Sequence, residues 1–112
     1  MSECIQKYDN RGNCIYHKNT YNREFWREFD KNNNIIYGKN SSDYEFWKEY
    51  DENKNLIHYK NSNGAKFWYK YDKNNKRIKI DKQEFKQIKR RKEKRELYLN
   101  IKRSNRFEIM DI

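Results

Sequence analysis

Phe25-Trp26-Arg27-Glu28-Phe29-Asp30 returns as Phe46-Trp47-Lys48-Glu49-Tyr50-Asp51 and again as Phe67-Trp68-Tyr69-Lys70-Tyr71-Asp72, each copy 21 residues after the last. Tyr8-Asp9 extends the series one step back, with Ile5 where the later copies carry tryptophan. Each aromatic-Asp pair leads into a polar tetrad (Asn10 to Asn13, Lys31 to Asn34, Glu52 to Asn55, Lys73 to Lys76). An apolar segment follows, centred on Ile15, Ile36, Ile57 and Ile78, and the first three copies close on Lys18-Asn19, Lys39-Asn40 and Lys60-Asn61. Four copies in one register are an internal repeat, and the repeat decides the fold.

Each copy reads as a β-hairpin. The aromatic segments are rich in strand formers, and Asp, Asn and Gly in the tetrads tolerate the left-handed backbone that tight turns need. The links Asn40-Ser41-Ser42-Asp43 and Asn61-Ser62-Asn63-Gly64 carry turn chemistry again. The expected fold is therefore mainly β with a C-terminal α-helix. Over residues 1–80, four 21-residue hairpin repeats form a twisted antiparallel meander of eight strands; residues 81–112 form a basic helical segment packed on the sheet or extending from it. The period of two along a strand puts Phe25, Arg27 and Phe29 on one face and Trp26, Glu28 and Asp30 on the other. Successive tryptophans, separated by one return strand, are expected roughly 9–10 Å apart as ladders with charged rungs between them. The Trp and Phe columns are assigned to the core, while Tyr16, Tyr37, Tyr44 and Tyr59 are expected to be exposed.

The aromatic-Asp pairs, the Asn/Gly turns and the period resemble the tyrosine-aspartate repeats of the RHS class. They also resemble the MORN-like repeats of small bacterial antitoxin-type proteins. The resemblance covers residues 5–80 and implies an extended, curling β-sheet that serves as a scaffold or binding surface and carries no catalytic residues. This chain departs from the pattern in that most turns lack the usual glycine, Gly12 being retained. Four copies are also too few to wrap a shell as long arrays do.

The chain has 112 residues, enough for one domain, with a formal charge of +10 and 34% hydrophobic positions. Its mean hydropathy is -1.57. No apolar run approaches the ~20 residues needed to cross a bilayer, so a membrane role is not expected and the cytoplasm of a bacterial host is. Ten Tyr, six Phe and three Trp argue against disorder. Residues 1–80 and residues 81–112 each carry a net charge of +5, so the shorter segment is much the denser in charge.

After Ile80 the repeat stops. Asp81 and Glu84 fit a capping arrangement, and Phe85 and Ile88 are candidate anchors for the first turns. The expected helix runs from 82 to about 103, with a helix ending near 95 followed by a small hairpin as the alternative. Between residues 86 and 95 stand seven cations (Lys86, Lys89, Arg90, Arg91, Lys92, Lys94 and Arg95) and one acid. Such density suits nucleic-acid backbone or a nucleoprotein surface, against the competing reading of a solvated helix. Tyr37, Tyr44 and Tyr59 are candidate stacking or partner-contact residues.

Catalytic, cofactor and metal sites are not expected. Glu28, Glu49 and the aspartates recur once per repeat, so the Asp reads as a turn former and the Glu as a cross-strand partner of Lys or Arg. His17 and His58 fall in different repeats. With Asp9 starting a turn, Tyr8 is expected opposite Cys14 and Cys4 opposite Lys18, which leaves both thiols free. The function expected is that of a non-enzymatic binding protein or inhibitor occupying a protein or nucleoprotein surface. By type it resembles the small inhibitors of phages and mobile elements, including anti-CRISPR proteins. An RNA-guided nuclease is thus a candidate partner, and RNA or DNA backbone a candidate contact. The alternative is an antitoxin- or immunity-type protein, or a self-associating scaffold whose open sheet edges form a homodimer.

Overall fold

The computed structural model describes residues 3–110. Eight strands come first: β1 (Ile5–Tyr8), β2 (Cys14–Lys18), β3 (Glu24–Phe29), β4 (Ile35–Asn40), β5 (Glu45–Tyr50), β6 (Leu56–Asn61), β7 (Lys66–Tyr71) and β8 (Arg77–Ile80). One helix, α1 (Lys82–Met110), follows among the described residues. The strands form a single open sheet in sequence order, β1 to β8, so the hairpin meander is present as expected. The chain divides between Lys79 and Ile80 into a sheet unit and a helix unit.

One turn design joins every pair of consecutive strands. At Asp30 the backbone N–H donates to the Asn34 carbonyl at 2.9 Å, and the Asn33 N–H returns to the Asp30 carbonyl at 3.1 Å. The Asp30 carboxylate Oδ1 accepts the N–H groups of Asn32 and Asn34, both at 2.9 Å. Asp9, Asp51 and Asp72 repeat these bonds, and so do Asn19, Asn40 and Asn61 in the links between copies. Asp and Asn share this role because each offers an oxygen that reaches the backbone two and four residues on. The fourth turn residue is left-handed throughout: Gly12 (φ 85°), Asn22 (65°), Asn33 (65°), Asp43 (65°), Lys54 (65°), Gly64 (90°) and Asn75 (61°).

The odd period of the repeat poses a problem that three bulges solve. In a plain meander, advancing 21 residues with tight turns at both ends would flip every side chain to the opposite face. Here the pairing slips by one residue between Lys7 and Tyr8, Glu28 and Phe29, and Glu49 and Tyr50. Ile15, Ile36 and Ile57 are the residues left without a register partner. Each bulge restores the parity, so Trp26, Trp47 and Trp68 stay on one face. It also staggers them. The row through Trp26 continues through Lys39 to Glu45, while Trp47 shares its row with Glu28, Tyr37 and Lys60. The tryptophans therefore step two residues, about 7 Å, along the strand at each repeat instead of standing directly across one return strand.

Within the sheet unit the described strand residues do not pack into a buried core. Within the described part of the sheet unit the one buried residue is Gly38; Trp26, Trp47 and Trp68 are half-buried and Phe25 is 37% exposed. The expectation that the Trp and Phe columns make a buried core is corrected accordingly. Their apolar surface is sheltered by cross-strand neighbours in one layer. Tyr16 covers Trp26 and Tyr37 covers Trp47, each with ring centroids 5.6 Å apart, and His58 stacks on Trp68 at 5.2 Å. Such pairs contribute roughly 0.2–1 kcal/mol each, so stability is distributed along the ladder.

Two smaller expectations change with the register. Tyr8 does pair with Cys14, but the bulge at Ile15 puts Ile5 opposite Lys18. Cys4 instead brings its sulfur to 3.4 Å from Nε2 of His17, and both cysteines are free. Glu28 faces Tyr37 and Glu49 faces His58; it is Glu24 and Glu45 that lie opposite lysines, Lys18 and Lys39.

Candidate nucleic-acid interface

The helix begins where its cap dictates. Oδ1 of Asp81 accepts the N–H of Glu84 at 2.8 Å, satisfying one of the donors that a helix start leaves over. No Pro or Gly follows, and α1 continues without interruption to Met110, beyond the end near 103 and in place of the alternative hairpin. Asp111 and Ile112 lie outside the described residues. Phe85 is buried, 8% exposed, with the Lys89 ammonium 5.0 Å from its ring centre. Every residue from Arg90 to Ser104 is solvent-exposed, including Leu97, Tyr98, Leu99 and Ile101.

At 100° per residue the seven cations do not form a stripe. Lys86, Arg90 and Lys94 occupy one side, Arg91 and Arg95 continue the same way round, and Lys92 and Lys89 fill the remaining arc. Six are exposed; Lys89 is half-buried over Phe85. The helix therefore presents positive potential around its circumference, and its side chains are not divided into an apolar and a polar face.

The three candidate tyrosines separate. Tyr37 lies on the face of the tryptophans, and its hydroxyl donates to the Glu45 carboxylate. That bond, followed by desolvation and the charges of Glu45 and Glu28, pushes its pKa up to about 12. Tyr16 repeats the arrangement with Glu24, and its pKa is likewise raised. Tyr44 and Tyr59 come together near the opposite face with hydroxyl oxygens 2.9 Å apart, and the Asn61 amide donates to both. All four tyrosines are half-buried rather than exposed, because their hydroxyls are tied to neighbours along the sheet.

A second group of cations escapes a reading of charge density along the chain. On the phenylalanine face, Arg27 sits over Phe25 at 6.0 Å and Lys48 over Phe46 at 5.1 Å. Arg77 sits over Tyr69 at 4.6 Å and Lys79 over Phe67 at 4.8 Å. The signal was present as the period of two: Arg27 and Lys48 share a repeat column, two residues after each Phe. The described strand residues of this face include no carboxylate, whereas the tryptophan face carries Glu24, Glu28, Glu45 and Glu49.

Among the described residues no group of three or more His, Cys, Asp and Glu side chains is placed to hold a metal ion. No described helix is long and apolar enough to cross a membrane. No protein family matches the chain, and no curated protein matches it either.

Proposed function

We propose that this protein is a non-enzymatic binding protein that occupies a nucleoprotein surface, with the basic segment of α1 neutralising nucleic-acid backbone. The observation that carries this reading is the exposure of Lys86, Arg90, Arg91, Lys92, Lys94 and Arg95 around the whole helix. A solvated helix of this charge repels itself, and isolated helices depend on favourable local interactions for their stability. Phosphates would relieve that repulsion and release their counterions on contact. A complex between a nuclease and its guide, with exposed backbone beside protein, suits such a helix, and an inhibitor of an RNA-guided nuclease is the role we favour. The test is charge reversal: Arg90→Glu, Arg91→Glu, Lys94→Glu and Arg95→Glu together abolish capture of the nucleoprotein and of labelled RNA at low salt. Undiminished capture by the reversed protein overturns the reading.

A second reading rests on a different observation, the open sheet. β1 and β8 are edges, and β1 is exposed along its length, with Ile5 and Tyr8 prominent. Edge pairing would produce a salt-resistant dimer without nucleic acid. Sedimentation at two salt concentrations, with and without RNA, separates the two readings.

A further inference from the structure

We propose that the phenylalanine face of the sheet binds single-stranded nucleic acid, with bases stacking at Phe25 and Phe46 and phosphates meeting Arg27, Lys48, Arg77 and Lys79. The proposal rests on the reading above for the class of ligand alone; none of its residues belongs to the basic segment of α1.

Charge complementarity comes first. This face carries cations and no strand carboxylate, while the reverse face of the same sheet mixes both signs. A field of one sign over a surface this small favours a polyanion. Ring geometry comes second. Each cation lies over an aromatic ring, so ring faces and positive charges alternate across the surface. An arriving base takes the ring face and the long side chain swings to the adjoining phosphate, so both interactions gain a partner.

The third observation gives the site a position. Successive copies place His17, Gly38 and Tyr59 opposite Phe25, Phe46 and Phe67. His17 and Tyr59 stack on their partners, at 6.2 and 6.1 Å, and fill the surface. Gly38 offers no side chain to its partner, and the Phe46 ring lies across it instead. A hollow of about 420 Å³ borders that ring, lined by Phe25, Arg27, Gly38, Asn40, Tyr44 and Phe46 among others. This volume falls within the range of small-ligand sites, roughly 300–1,000 Å³. Rings on two sides, a guanidinium and an amide make it suited to a planar, hydrogen-bonding base. Only an unstacked base can reach it, since in a duplex both ring faces are already covered.

Binding is measured by fluorescence anisotropy of the full chain with a poly-dT strand of about 12 nucleotides, and with a duplex of the same length. The single strand should bind about tenfold tighter than the duplex. Phe25→Ala, a change at an exposed ring that leaves the circular dichroism unaltered, should weaken single-strand binding about tenfold and leave duplex binding as it was. Arg27→Glu should weaken single-strand binding by at least as much and flatten its salt dependence. Reversing the α1 charges should lower both affinities and preserve the single-strand preference. Equal affinity for the two probes, or unchanged single-strand binding by Phe25→Ala, overturns the proposal. If Phe25→Ala is silent while the α1 reversal abolishes binding, the sheet site fails and the helix reading stands. The converse pattern sinks the helix reading and leaves the sheet site intact. No binding of either probe at low salt overturns both, and a partner surface made of protein would then account for the rings.

Discussion

A Cβ added at Gly38 would stand 2.3 Å from Cε1 of Phe46, because the phenyl ring lies across the glycine on the neighbouring strand. The glycine weakens β4 locally, and the ring shelters the backbone it leaves bare. Gly38→Ala should therefore destabilise the sheet by about 1 kcal/mol through overpacking. In a Phe46→Ala background the same change should be neutral or slightly stabilising. A double-mutant cycle by urea denaturation reads the coupling directly; additive effects would show that the ring and the glycine do not interact.

The turn edge offers a gain in stability. The Asn13 amide donates to Asn33 at 2.9 Å and the Asn55 amide to Asn75 at 3.0 Å, linking turns of successive copies. Asn34 is the equivalent donor for position 54, where lysine offers no acceptor and holds a φ of 65°. Lys54→Asn should complete the series and ease the left-handed strain, stabilising the protein by about 1 kcal/mol. An unchanged denaturation midpoint would contradict that account of the turn.

Asp30 and its equivalents hold the turns through an acceptor, and asparagine fills the same place at positions 19, 40 and 61. Asp30→Ala should cost on the order of 1–2 kcal/mol, while Asp30→Asn should cost well under half as much. Equal losses from the two substitutions would argue that the carboxylate charge, and not the oxygen's reach, fixes the turn.

Two of these carboxylates, Asp9 and Asp30, set the acid limit. The Asp9 carboxyl is held below its ordinary value chiefly by the backbone N–H of Asn13. At Asp30 partial burial works upward but is outweighed by the N–H groups of Asn34 and Asn32. A depressed folded pKa gives stability that is complete above the ordinary carboxylate range and lost as pH falls through the depressed value. Thermal midpoints should therefore stay level from neutrality to about pH 5 and drop below about pH 4. A drop that begins near pH 6 would point to histidines instead.

Tyr37 sets an alkaline counterpart. Its folded pKa is raised to about 12, so its contribution is complete below the ordinary phenol value and is lost as pH rises through about 12. Ultraviolet titration of tyrosinate should show a late-ionising component that Tyr37→Phe diminishes, with Tyr16 among the tyrosines that remain in it. A curve unaltered by that substitution would place the late component elsewhere.

The sequence carried the architecture because strand, turn and period were written in the same columns. Phe25-Trp26 and its repeats set the strands, and Asp9, Asp30, Asp51 and Asp72 marked the hairpin turns. Asn19, Asn40 and Asn61 were visible as the close of each copy, yet their equivalence to the aspartates appears only when both side chains are seen accepting the same two N–H groups. The bulges at Ile15, Ile36 and Ile57 were implied by the odd period, but the isoleucines look like ordinary strand residues. That the described sheet aromatics are half-buried or exposed and not packed into a core could not be read from aromatic content, since aromatics shelter one another within a single layer as well as in a core. Of the site, the run from Lys86 to Arg95 was legible as density along the chain. Arg27 and Lys48 were legible as a column two residues after Phe25 and Phe46, whereas Arg77 and Lys79 meet Tyr69 and Phe67 only across strands.

The salt dependence of nucleic-acid binding, compared between the unaltered protein and the Arg90→Glu, Arg91→Glu, Lys94→Glu, Arg95→Glu protein, tests the binding role of α1 most directly. If α1 neutralises phosphates, log affinity falls linearly with log salt, by about 0.7 per phosphate on a single strand, and the reversed protein loses several such increments together with most of its low-salt affinity. Identical slopes and affinities for the two proteins would contradict a nucleic-acid role for the helix.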